Sequence, residues 1–398
     1  MNKRLYLFSA VYPYNIYGDN FLEREMYYHF KEFEEVIIIP YRQETEKLKT
    51  LPRNCKVLPP ILGKKKSFIL RSFFSFPGFR LLIPDFFKHK VFLNRRKFKV
   101  WVKAYSFLNN LCNRKDIRDI GKNITSDDVC YFYWGKWGNL LSVAWSGRSH
   151  FVSRFHGEWD LWEESSGGYT PLREKVAASL DFAAFISKKG ENYFNNRYST
   201  KRTLFAPLGS EDIGISKKSS DGIIRVFTCS NVIPLKRVDL IFECINKFAE
   251  KHKVEWTHIG GGSDFEKLKD IVENNHIRQL KPLLLGMQDH SIVIDFYRTQ
   301  PVDLFMNLST IEGVPVSIME ALSCNIPVVA TNVGGVSEIV TEETGVLVSS
   351  NPTVEEVVNA MEKAIYGEYT PRIFWNAHYN ADINYSWYAK ELSKIVNT

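Results

Sequence analysis

No run in this 398-residue chain approaches the roughly 18 to 20 consecutive apolar residues of a membrane span, so no transmembrane helix is expected. The opening Met1-Asn-Lys-Arg-Leu-Tyr-Leu-Phe is basic and then apolar. Its apolar run is short and is broken by Pro13 and Asn15, so it reads as a first β-strand and not as a leader. The six cysteines (55, 112, 130, 229, 244, 324) include no CxxC pair and no metal-ligand spacing, which implies reduced, mostly buried thiols in a cytoplasmic protein. The dinucleotide fingerprint GxGxxG is missing after the first strand. An Asp-x-Asp metal motif is missing where one would serve, so no metal site is assigned. Residues 63–105 contain a single acid, Asp85.

What is present is a globular composition, 44% apolar, with enough chain for two domains that each bury a core. The net charge of +7 makes an anionic partner plausible and says no more. Continuous apolar runs such as Val36–Pro40 are typical of parallel strands buried on both faces. Leu5 to Val11, a loop containing Gly18 and Asp19, and a helix from Leu22 to Phe33 form a strand–loop–helix unit of a doubly wound domain. Further strands are expected at Val129–Tyr133, followed by the loop Trp134-Gly-Lys-Trp-Gly138, and at Phe151–Phe155, followed by His156-Gly157. A strand over Leu180–Ser187 and a helix from Lys188 lead to Phe205–Gly209. The Ser-, Lys-, Asp- and Gly-rich residues 210–222 read as a linker.

Residues 63–105 interleave twelve cations with aromatics that include Phe86, Phe87, Phe92, Phe98 and Trp101. A surface facing anionic headgroups and an ordinary helix core with a solvated lysine face account for this segment equally well. Nucleic acid is not expected as a partner, because no nucleic-acid module surrounds the segment.

The rest of the chain is organised around Glu312-Gly-Val-Pro-Val-Ser-Ile-Met-Glu320 and its continuation Ala321-Leu-Ser-Cys-Asn-Ile-Pro-Val-Val-Ala-Thr-Asn-Val-Gly-Gly-Val-Ser-Glu338. Val316 to Leu322 has helical spacing, with Ile318, Met319 and Leu322 apolar and Pro315 where helix starts accept proline. Gly313 permits close approach of the backbone. The first-turn amides lack internal partners and carry the positive end of the dipole, which suits a phosphate. Glu312 before the helix and Glu320 about a turn inside it can flank a ligand there and hold its hydroxyls. Two glutamates alone are as consistent with a solvated helix; the whole run of residues is not.

This run, Glu–seven residues–Glu, then Ala-Leu-Ser-Cys-x-Ile-Pro-Val-Val-Ala-Thr and Gly-Gly-x-x-Glu, resembles the donor-site signature of family 4 retaining glycosyltransferases. The resemblance covers nearly the whole chain, most strongly 223–348 and 151–209 and least 41–128. It implies the GT-B fold class: α/β, two Rossmann-like doubly wound domains facing across a cleft. The implied divisions are 1–209 for the acceptor, 210–370 for the nucleotide sugar, and a helical 371–398 returning to the first domain. It further implies that Glu312 holds sugar hydroxyls, that Glu320 holds the ribose, and that Lys236 offsets charge on the leaving diphosphate. His156, in Arg154-x-His-Gly-x-x-Asp-Leu, would touch the sugar near its reacting carbon. Gly18, Arg237, Gly286, Gly313, Val314, Pro315, Val316 and Ser317 complete the implied donor set; Asp19, Arg154 and Trp134 are the implied acceptor residues. Arg154 reads equally as a strand-end anchor.

The chain departs from the family twice. Ser230 stands where many members have an arginine six residues before the lysine, leaving Arg237 or another cation to supply that charge. Asn325 replaces a glycine, a substitution that a left-handed turn tolerates. The implied activity is transfer of a sugar from a nucleotide diphosphate sugar, UDP foremost, to a glycan or lipid-linked acceptor. The linkage is α, the pathway is cell-surface polysaccharide synthesis, and neither cofactor nor metal is needed. The implied location is the cytoplasm, at the inner face of the cell membrane. Nucleotide-sugar epimerisation on the same fold is one alternative. A non-catalytic membrane-surface or nucleic-acid-binding protein on a degenerate scaffold is another.

Overall fold

The computed structural model describes residues 3–14, 20–43, 45, 50–62, 76–157, 160–275 and 277–397. The loop positions Gly18 and Asp19 and the basic residues 64–71 lie outside the described residues. The chain divides into two units, Met1–Ala206 with Tyr385–Thr398, and Pro207–Asn384. The division falls before Gly209, and the chain rejoins the first unit at Tyr385, part-way along a helix, after Pro371–His378 has packed within the second.

In the first unit, β1 (Arg4–Ser9), β2 (Glu35–Pro40), β3 (Cys55–Val57), β4 (Asp128–Phe132), β5 (His150–Phe155), β6 (Phe182–Phe185) and β7 (Thr203–Phe205) form a parallel sheet of order 3-2-1-4-5-6-7. The strands read as unbroken apolar runs because both faces are covered. Leu5, Leu7, Val36, Ile38, Val129 and Tyr131 face one core cluster, and Tyr6, Phe8, Ile37, Ile39, Cys130 and Phe132 face the other. Four helices carry the later argument here: α1 (Asn20–Glu32), α2 (Phe76–Lys88), α3 (Arg95–Asn113) and, after the second unit, the C-terminal Ala381–Lys394.

In the second unit, β8 (Ile224–Cys229), β9 (Val254–Ile259), β10 (Leu280–Leu284), β11 (Leu304–Asn307), β12 (Val328–Thr331) and β13 (Gly345–Val348) form a parallel sheet of order 10-9-8-11-12-13. Trp256, Leu304, Met306, Val329 and Met361 lie in its core. Here α4 is His290–Thr299 and α5 is Val316–Ser323. Asn325, just past α5, takes the left-handed conformation at φ 62°, the one that asparagine was expected to tolerate.

Both sheets reverse their winding once, between β1 and β4 and between β8 and β11. Open parallel sheets build their sites at the carboxyl ends of the strands flanking such a reversal, because the loops there diverge and leave a crevice. Lys236 follows β8 and Glu312 follows β11.

Candidate active site

The loop after β8 closes into a short 3-10 turn, Pro234–Lys236, and Thr310 N donates to Leu235 O at 2.8 Å, tying it to the loop after β11. This brings Lys236 Nζ to 2.5 Å from Glu312 Oε1. The same oxygen accepts from Ser309 Oγ at 2.6 Å and Asn307 Nδ2 at 3.3 Å. A carboxylate only 9% exposed needs such donors, since desolvating it unpaired is costly. Its second oxygen, Oε2, carries no hydrogen bond among the described residues.

The glycine pair of the organising stretch has a specific task. At Gly334, φ is +53° and a Cβ would stand 1.7 Å from Glu312 O, while Gly335 N donates to Gly313 O at 2.8 Å. The glycine turn therefore seats the Glu312–Gly313 backbone, and any side chain at 334 would displace it. Pro315 is the N-cap of α5, and Ile318 N already returns to Pro315 O at 3.2 Å. Val314, Pro315 and Val316 are buried, whereas Gly313 and Ser317 are half-buried at this helix start. One turn in, Glu320 is buried, with Oε1 2.7 Å from His290 Nε2 at the start of α4. Gly286, left-handed at φ 66°, accepts from Gly260 N at 2.8 Å and joins the loops after β10 and β9.

Arg237, expected at the donor, is otherwise engaged. Its Nε donates to Leu308 O at 2.7 Å, and its Nη2 to Ser309 O at 3.1 Å and Ser350 O at 2.7 Å. It staples the loop ends after β11 and β13, and thereby holds Ser309 against Glu312. Lys236 is the cation that meets Glu312.

In the first unit, His156 packs tilted against Trp134 with centroids 4.3 Å apart, and its ring lies 4.7 Å from Tyr133. The loops bearing these rings are joined by Asp160, whose carboxylate accepts from the amides of Gly135 (2.9 Å), His156 (3.0 Å) and Gly157 (2.9 Å). Burial alone would raise this carboxyl; the hydrogen bonds and charge of His156, with the amides, hold it below its usual range. Arg173 adds a second clamp, donating to Gly135 O at 3.0 Å and Asp160 O at 2.6 Å. Arg154 is not positioned for an acceptor. It is fully buried, ion-paired with Glu25 of α1, bonded to Ala206 O at 2.6 Å and set 4.7 Å from the Tyr388 ring. It is the strand-end anchor of the two alternatives, because the sheet face it occupies is covered by α1 and the C-terminal helix.

Ser309, Asn307, His290 and Arg173 were not among the expected site residues, and Asp160 stood in the His156 motif without a role. For Asp160 a signal existed, three residues after His156-Gly157, where a carboxylate can cap the turn's amides. Asn307 and Ser309 sit at the end of a strand flanking the sheet reversal; nothing local sets His290 or Arg173 apart.

Solved structures establish the fold class. The lipopolysaccharide outer core galactosyltransferase WaaB in its apo form aligns over 99% of both chains at TM-score 0.66 and 14% identity. Anabaena Alr3699/HepE in complex with UDP aligns over 98% of this chain and 100% of its own at TM-score 0.65 and 14% identity. The fold is that of the GT-B glycosyltransferases: two Rossmann-like α/β units with parallel sheets. Residues 211–380 match the family described as glycosyl transferases group 1, and the second unit is a domain of that family. The GPI3 subunit of phosphatidylinositol N-acetylglucosaminyltransferase from Saccharomyces cerevisiae is 31% identical over 162 residues, 40% of this chain and 35% of that protein. The chain thus spans about a third of the length of this curated relative.

Proposed function

We propose that this protein is a retaining glycosyltransferase, which moves a sugar from a UDP-sugar to a glycan or lipid-linked acceptor with an α-linkage, in cell-surface polysaccharide synthesis. The observation that carries this reading is the Lys236–Glu312 pair just before α5, with Glu320 buried one turn inside that helix, beside the reversal of the second sheet. A phosphate suits the free amides of that helix start, and carboxylates beside it suit the hydroxyls of ribose and sugar. UDP as the nucleotude carrier is favoured by Alr3699/HepE, which holds UDP on this fold. A lipid acceptor is favoured by the yeast relative, named for phosphatidylinositol.

In this reading the bond from the anomeric carbon to the diphosphate oxygen breaks as the acceptor oxygen bonds to the same face of that carbon. The departing phosphate oxygen takes the acceptor's proton. Lys236 and the amides of Gly313, Val314, Val316 and Ser317 hold the negative charge, a contribution that matters most in the transition state. Glu312, through Oε2, holds sugar hydroxyls and Glu320 holds the ribose. In the first unit, His156 and the Trp134 loop serve sugar and acceptor. We place the reaction in the cytoplasm, at the inner face of the membrane, with no metal and no nucleic acid taking part.

Thermal-shift measurements with UDP, GDP, ADP and CDP test the donor site, since a ligand bound to the folded state raises its melting temperature. UDP is expected to raise it in the wild type and far less in Glu320→Ala. No response to any of the four nucleotides would sink the proposal. With a matching acceptor, the product's anomeric configuration read by NMR tests retention, and an unchanged rate in EDTA tests metal independence. Conversion of the donor to an epimer without acceptor would favour epimerisation instead.

A further inference from the structure

The aromatic and basic residues of α2, α3 and their connection divide into two populations. Phe86, Trp101 and Tyr105 pack inward, with Phe86 and Trp101 4.9 Å apart and Trp101 Nε1 bonded to Leu82 O. Phe87, Phe92, Leu93 and Phe98 point out, 63, 55, 72 and 46% exposed. They form one patch, because Phe92 lies 6.3 Å from Phe87 and both Phe92 and Phe98 lie within 6.4 Å of Phe86. Lys90, Arg95, Arg96 and Lys99, all exposed, stand among them. The only acid in residues 76–105, Asp85, is buried beneath, accepting from Tyr169 Oη and from Leu172 N at 3.3 Å. The outward face therefore presents exposed phenylalanines and cations with no carboxylate of its own segment between them.

We infer that this tip docks on an anionic lipid bilayer, the rings entering the headgroup boundary and the cations pairing with lipid phosphates. Water explains such a face poorly, since four large apolar side chains gather there, and a neutral apolar partner leaves the cations without counter-charge. The placement deepens the lipid-linked reading of the acceptor, on which its purpose rests. Asp85 fixes the tip to the segment Tyr169–Leu172, and Arg173, next in the chain, clamps Gly135 and Asp160 in the loops that carry Trp134 and His156. A bilayer bound at the tip is thus tied through a continuous hydrogen-bonded segment to the loops assigned to the acceptor.

The test is co-sedimentation of the full chain with vesicles of phosphatidylcholine containing phosphatidylglycerol, and with phosphatidylcholine alone. Binding is expected to the anionic vesicles and to weaken as salt rises. Arg95→Gln with Lys99→Gln is expected to lower partitioning about fivefold per cation removed. Phe87→Ser with Phe92→Ser and Leu93→Ser is expected to lower it at least about tenfold, with the melting temperature and the UDP-induced shift retained. Wild type that ignores anionic vesicles at low salt overturns the inference, as does a triple-serine variant that sediments like wild type. A dimer on gel filtration that the triple variant breaks, without vesicle binding, assigns the patch to a second copy and likewise overturns it. Vesicle binding without any nucleotide response leaves the docking surface standing and removes the transferase reading.

Discussion

Lys236 and Glu312 lie 76 residues apart in the chain and 2.5 Å apart in space. The distance is closed by the sheet: β8 and β11 are neighbours although two strands separate them in sequence. The lysine side chain remains 25% exposed, so the pair sits at the mouth of the strand ends and can exchange partners with a ligand.

Removing either member separates catalysis from folding. Lys236→Met is expected to reduce kcat about 10²- to 10³-fold, the cost of losing one group that stabilises developing charge. Glu312→Gln is expected to lower kcat/KM by a similar factor while leaving the UDP-induced melting shift largely in place. Steady-state rates with a cleavable UDP-sugar decide this; rates within a factor of about two of wild type would remove both residues from the mechanism.

Arg237 is expected to act through stability. Arg237→Met removes the donor of the Leu308 and Ser350 carbonyls and one of the two on Ser309 O, which keeps Thr331 Oγ1, a loss of about 2–4 kcal/mol by urea unfolding. A variant as stable as wild type that no longer responds to UDP would instead mark a direct donor contact.

Glu25 and Arg154 form the buried charge pair of the first unit. Burial alone would raise the Glu25 carboxyl, but Arg154's charge and hydrogen bonds from His29 and Tyr131 hold it below its usual range. A carboxyl lowered in the folded state contributes stability above the unfolded value near 4, and that contribution is lost as pH falls through the folded value. Glu25→Gln, which strands the buried guanidinium, is expected to cost about 3–5 kcal/mol at neutral pH. The gap to wild type should narrow on acidification below pH ~4 in chemical unfolding; a pH-independent gap would contradict the pairing.

Lys136 carries the opposite sign. Burial, with Arg173 nearby, pushes its ammonium from the usual 10.5 down to about 8. Between those values the unfolded chain binds the proton and the folded chain does not, so wild-type stability rises with pH across that window. Lys136→Met, among Ala104, Leu140 and Val176, is expected to be more stable below pH 8 by up to about 3 kcal/mol. That advantage should vanish towards pH 10.5, and a difference constant from pH 7 to 10 would refute the shift.

Much of the fold was legible because parallel strands covered on both faces are written as continuous apolar runs, and the glycines and proline around Glu312 punctuate the loop before α5. The charged side chains were harder to place. Arg154 beside a strand end and Arg237 beside a helix start look like site residues in one dimension. The α1 carboxylate and the loop carbonyls that claim them come from distant parts of the chain. His290, 30 residues before Glu320, had no local feature to single it out.

The sequence by itself determined the alternating strands and helices, the loop–helix–turn from Glu312 to Glu338, and the left-handed turn at Asn325, since these depend on spacing and on backbone conformations of adjacent residues. Tertiary structure decided which polar groups meet and which aromatics are left outside. It set Ser309 and Lys236 on Glu312, buried Arg154, and turned Phe92 and Leu93 to the surface while burying Trp101. Burial and charge pairing are properties of the packed sheet and its covering helices, and strand order, which fixes them, is not written in any local stretch.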